Sequence, residues 1–123
     1  MVKKPAVAPS AVPSGIALTD PVGHYMVRGT NPNGSSYTGE VLVTRTGQTF
    51  RVAWRIGRQS FVGTGIAVED SIAVSYRTGP RAGVALYSRK PSGRWEGVWA
   101  MAGNRETGTD VWIPHMSPPL RYS

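Results

Sequence analysis

A chain of 123 residues has room for one domain, and its 15 glycines and 10 prolines exclude a helical bundle, whose interior tolerates neither. The absence of cysteine excludes disulfides, thiol nucleophiles and thiolate metal sites. A net charge of +7, carried mostly by arginine, favours acidic partners by long-range attraction and suits stacked or bidentate contacts.

Residues 1–21 read as a tail. Lys3 to Gly15 is built from Lys, Pro, Ala, Val and Ser, which favour extended chain and cannot supply a core. Pro5, Pro9 and Pro13 interrupt the apolar stretch after Lys4, so no signal peptide is expected in the chain as given. No run approaches the roughly 18 apolar residues of a membrane-spanning helix.

From Gly23 the pattern changes to short strands about ten residues apart, predicted at 23–30, 36–46, 48–56, 59–68, 71–78, 82–89, 94–102 and 107–113. Asn33-Gly34 is a strong hairpin signal, because both residues tolerate positive φ. Gly57-Arg58, Glu69-Asp70, Thr78-Gly79-Pro80 and Pro91-Ser92-Gly93 supply further turns. Connections this short make successive strands antiparallel neighbours. The expected fold is all-β: one antiparallel up-and-down barrel of about eight strands over 22–113, with a sandwich as the alternative and a C-terminal tail over 114–123.

The third strand alternates most clearly, with Phe50, Val52, Trp54 and Ile56 on one face and Arg51, Ala53 and Arg55 on the other. An aromatic residue two positions before a glycine recurs at Tyr37/Gly39, Phe61/Gly63 and Trp95/Gly97. Interior glycine weakens a strand unless it permits coiling or close approach, so these positions read as barrel-closure geometry, with a glycine-lined ligand site as the alternative.

Catalytic signatures are thin. His24 and His115 read as two unrelated surface histidines with no carboxylate at ligand spacing, so no metal site is expected. Glu69-Asp70 falls on a turn, and Glu96 reads as a cross-strand ion-pair partner. No phosphate loop, nucleophile elbow or acid pair for hydrolysis is present in the sequence. The expectation is a protein without catalytic residues or cofactor.

The aromatic set is richer. Trp54, Trp95, Trp99 and Tyr76 are candidates to line a barrel interior, which at eight strands holds side chains or one small apolar ligand. Arg45, Arg51, Arg55, Arg58 and Arg77 are candidates for a basic partner-binding face. Single-stranded nucleic acid would need exposed rings among those arginines, and the aromatics fall on the apolar faces instead.

Tyr37-Thr38-Gly39, Gly47 through Trp54, Ile56-Gly57-Arg58-Gln59, Gly63-Thr64-Gly65-Ile66, Gly83-Val84-Ala85-Leu86-Tyr87, Trp95-Glu96-Gly97-Val98-Trp99 and Gly108-Thr109-Asp110-Val111-Trp112 together resemble a type of small exported bacterial β-protein. The resemblance runs over about residues 34–112 and implies a calycin-like barrel and a periplasmic or secreted location. It implies no established activity and supplies no functional residues. The function expected first is a non-catalytic accessory protein docking on a larger protein partner through the basic face and extended termini. A small-ligand carrier is the second reading and single-stranded nucleic-acid binding the third.

Overall fold

The computed structural model describes residues 20–115. Eight strands follow in chain order: β1 Gly23–Thr30, β2 Ser36–Thr46, β3 Thr49–Ile56, β4 Gln59–Val68, β5 Ser71–Thr78, β6 Arg81–Arg89, β7 Trp95–Met101 and β8 Gly108–Pro114. Each bound lies within one residue of the sequence-based expectation. Every strand pairs antiparallel with its neighbour in sequence, and β8 pairs back onto β1, with Val27 opposite Trp112. The sheet is a closed up-and-down barrel, not a sandwich.

Positive φ at Gly47 (62°) and Gly57 (62°) closes the two tight hairpins that flank β3, where an L side chain would be strained. Period-two alternation then sends one face of each strand inward. Val27, Val41, Val43, Val52, Ile72 and Val74 pack inside the lumen. Met26, Leu42, Ile66, Val84 and Leu86 point outward.

The two ends of the barrel differ. At the end where β1 begins and β8 finishes, Tyr25, Phe50, Trp95 and Trp112 pack into a floor. Trp112 is its centre, with ring centroids 4.2 Å from Tyr87, 5.5 Å from Tyr25 and 6.3 Å from Trp95. Burying a tryptophan removes roughly 150–250 Å² from water, worth about 4–6 kcal/mol each before entropy. The tail expected over 1–21 lies outside the described residues except for Asp20 and Pro21. Pro21 is buried and its carbonyl accepts a hydrogen bond from the Tyr25 hydroxyl over 2.8 Å, which draws this residue into the floor. The strand expected to stop at 113 runs on to Pro114, and of the C-terminal tail only Pro114 and His115 are described.

Candidate functional site

At the opposite end the lumen is not filled. A cavity of about 440 Å³ opens between the β1–β2, β3–β4, β5–β6 and β7–β8 turns. Its walls are rings: Tyr37 from β2, Trp54 from β3, Phe61 from β4, Tyr76 from β5 and Trp99 from β7. Ile56 and Met101 add apolar surface, and Asn31, Gln59, Thr78 and Arg81 stand nearer the mouth. The volume falls within the roughly 300–1,000 Å³ typical of small-molecule sites.

Glycine keeps this space open. Each of several wall rings lies flat over a glycine directly across the strand pair: Tyr37 over Gly29, Tyr76 over Gly83 and Trp99 over Gly108. A β-carbon at Gly29 or Gly108 would overlap the ring above it. With the glycine in place the ring rests against the barrel wall instead of crossing the lumen. This covering of strand glycine by a cross-strand aromatic protects the exposed backbone as well.

The base of the cavity is Asp110, which is 2% exposed. It follows Gly108 and precedes Trp112 on the inward face of β8, so period-two geometry commits it to the lumen. Four donors converge on it, three from other strands and one from β8 itself. Tyr37 donates to Oδ1 over 2.7 Å, while Tyr87 donates to Oδ2 over 2.6 Å. The indole nitrogens of Trp54 (3.2 Å) and Trp112 (3.0 Å) also donate to Oδ2. Indole N–H can only donate, so both tryptophans require an acceptor here. Burial pushes the Asp110 carboxyl above its ordinary value, and the four donors oppose that shift without cancelling it. The phenols respond in the same field: burial and then the nearby carboxylate raise Tyr76 to about 12 and push Tyr37 and Tyr87 well above the ordinary phenol value. All three phenols remain protonated at neutral pH, and Tyr37 and Tyr87 donate to Asp110.

Of the residues expected to line the interior, Trp54, Tyr76 and Trp99 surround this cavity. Trp95 does not. It faces inward but sits at the floor, 1% exposed and paired with Trp112. Inward parity alone does not say at which end of the barrel a residue lies.

The five expected basic residues separate. Arg51 and Arg55 share the outer face of β3, and Arg58 lies in the β3–β4 turn. Arg77 faces outward on β5 and reaches that group through Val62, which pairs with both Ala53 and Arg77. Arg45 lies near the end of β2 on the floor side, its guanidinium 4.8 Å over the Phe50 ring and 3.5 Å from Asp20.

The histidines are not unrelated. Closure of β1 onto β8 stacks His24 on His115 with ring centroids 4.6 Å apart and planes 3° from parallel. Glu40 Oε1 accepts a hydrogen bond from His24 Nε2 over 2.9 Å, and this bond holds the Glu40 carboxyl below its ordinary range. Glu40 pairs with Met26, two residues from His24, so the sheet register supplies a neighbour that linear spacing hides. Among the described residues no group of three or more His, Asp or Glu is arranged to hold a metal ion.

Asp110 is the residue that sequence reasoning passed over. Its signal was present: one acidic side chain between Gly108 and Trp112, on the face that alternation assigns to the interior. Tyr37 and Tyr87 were likewise unassigned, because their role depends on which strands meet across the lumen. Compared with protein-family models and with curated proteins, the chain matches none.

Proposed function

We propose that this protein binds a small molecule in the aromatic cavity at the open end of its barrel. The observation that carries this is the pairing of an unfilled, ring-walled space with a buried polar group at its base. Side chains of this barrel pack the lumen completely at one end, so the space at the other is a property of where its glycines and rings stand. Rings supply apolar area for a flat body, and Asp110 with its tyrosines supplies directional contacts. The calycin-like, exported character implied by the residue framework accords with such a role. Screening a diverse fragment set by tryptophan fluorescence and thermal shift tests this. Binders should perturb Trp54 and Trp99 emission and raise the melting temperature. A set that yields no binder would overturn the reading.

A second reading, docking on a larger protein partner, draws on the outer surface of β4–β7. Ile66 pairs with Ala73, Ala73 with Leu86 and Leu86 with Val98, so one apolar row crosses four strands without a charge. Ile66, Leu86 and Val98 are 57%, 54% and 47% exposed. Charged substitution of Ile66 and Leu86 should abolish association with such a partner and leave cavity binding unchanged.

A further inference from the structure

Asp110 is a buried carboxylate with no cationic partner among the described residues. Its four partners are neutral donors, and it takes part in no ion pair among the described residues. Buried charges in proteins are ordinarily paired, because removing a charge from water is costly and dipoles only partly replace the lost solvation. Arg81, the one cation that lines the cavity among the described residues, does not supply the pairing. Its guanidinium turns at the mouth to the side-chain oxygen of Asn104, 3.0 Å away.

The walls have the matching chemistry. Trp54 and Tyr76 pack at 5.3 Å with planes tilted by 56°, and Tyr37 and Trp99 at 6.5 Å with a tilt of 60°. Tyr37, Tyr76 and Trp99 each lie over a wall glycine with the opposite face toward the space, and π-faces attract cations most strongly where water is excluded. Negative charge at the base, π-faces on the sides and a cation at the rim define an axis. A positive group is drawn inward and away from Arg81.

We propose that the ligand is an organic cation, an ammonium carried on a small flat or apolar body, seated with its positive end beside Asp110 and among the rings of Trp54, Tyr76 and Trp99. This rests on the reading of the cavity as a small-molecule site and names the ligand's charge class. The protein's own net charge of +7 opposes a cation at long range. That field is screened beyond about 8 Å at physiological salt, whereas the buried Asp110 acts at contact. The raised Asp110 carboxyl agrees with an incompletely compensated charge, and a bound cation would lower it.

The test compares three probes of one shape and three charges: benzylamine, benzyl alcohol and benzoate. Affinities at neutral pH are read from tryptophan fluorescence and confirmed by calorimetry on the full chain. The expected order is benzylamine first by at least tenfold, then the alcohol, then benzoate. The preference for the amine should fall as pH is lowered and Asp110 takes up its proton. Asp110→Asn should erase the preference; if that variant does not fold, the acid titration of the natural protein carries the same information. Equal affinity for amine and alcohol, or tightest binding of benzoate, would overturn the cation assignment and leave the cavity reading standing. No binding of any probe to about 10 mM, weaker than fragments in enclosed apolar sites, would overturn both.

Discussion

The hydroxyl of Tyr87 donates to Oδ2 of Asp110 across 2.6 Å, although β6 and β8 are not neighbours in the sheet. The bond passes over Gly97 of β7, which pairs with both Tyr87 and Asp110, and joins a wall residue to the base of the cavity. Trp54 reaches the same oxygen from β3, past β2 and β1 on the other side of β8. Asp110 therefore ties separate sectors of the barrel together where the hydrophobic filling stops.

Replacing Tyr87 by Phe should destabilise the fold by about 1–3 kcal/mol, since it leaves a buried carboxylate short of a donor. The urea midpoint should fall with an unchanged slope, because the surface exposed on unfolding is the same. The Asp110 carboxyl should titrate higher still. An unchanged midpoint would show that the bond does not contribute to stability.

Stability should depend on pH through Asp110 with a definite sign. Burial raises its folded-state value above the roughly 3.9 of an unfolded aspartate. The folded protein thus holds this proton more tightly than the unfolded chain does. The resulting contribution is fully present below the unfolded value and is lost as pH rises through the folded one. Chemical denaturation of the natural protein and of Asp110→Asn, compared from neutral to acid pH, checks this. Their stability difference should shift in favour of the natural protein on acidification; a constant or opposite difference contradicts it.

Gly108→Ala should push the Trp99 ring off the wall and also strain the β1–β8 pairing, since a β-carbon there overlaps both the indole and the Thr30 carbonyl. Overpacking of this kind costs about 1–3 kcal/mol. Ligand affinity should drop together with the melting temperature. Gly47→Ala is the useful contrast: its β-carbon meets nothing, but its φ of 62° is strained, so stability should fall with affinity retained.

Leu86→Lys on the outer surface should change stability by no more than about 0.5 kcal/mol, because the residue is 54% exposed and surface substitutions are well tolerated. Fragment binding should be unaffected. A large loss of stability would mean that this surface is covered by something in the folded protein.

Strand number, order and bounds were legible because each determinant is local. Alternation along Phe50, Val52, Trp54 and Ile56 fixes one inward face, and Gly57 fixes the turn that follows. Short connections then leave antiparallel neighbours as the only arrangement. The inward assignment of Trp54, Tyr76 and Trp99 came from the same alternation.

Depth along the barrel and contacts across it were not legible. Trp95 and Trp99 share one face of β7, yet Trp95 belongs to the floor and Trp99 to the cavity wall. The strand's direction decides which is which only after the barrel has closed. The stacking of His24 on His115 and the convergence of Tyr37, Trp54 and Tyr87 on Asp110 arise in the same way. Sequence by itself determined which side chains face inward, since parity is set by the pleat of each strand. Tertiary structure alone decided which of them fill the floor, which stand back over glycines, and which meet at one buried carboxylate. Those relationships depend on register summed around a closed sheet, and no segment of the chain contains that sum.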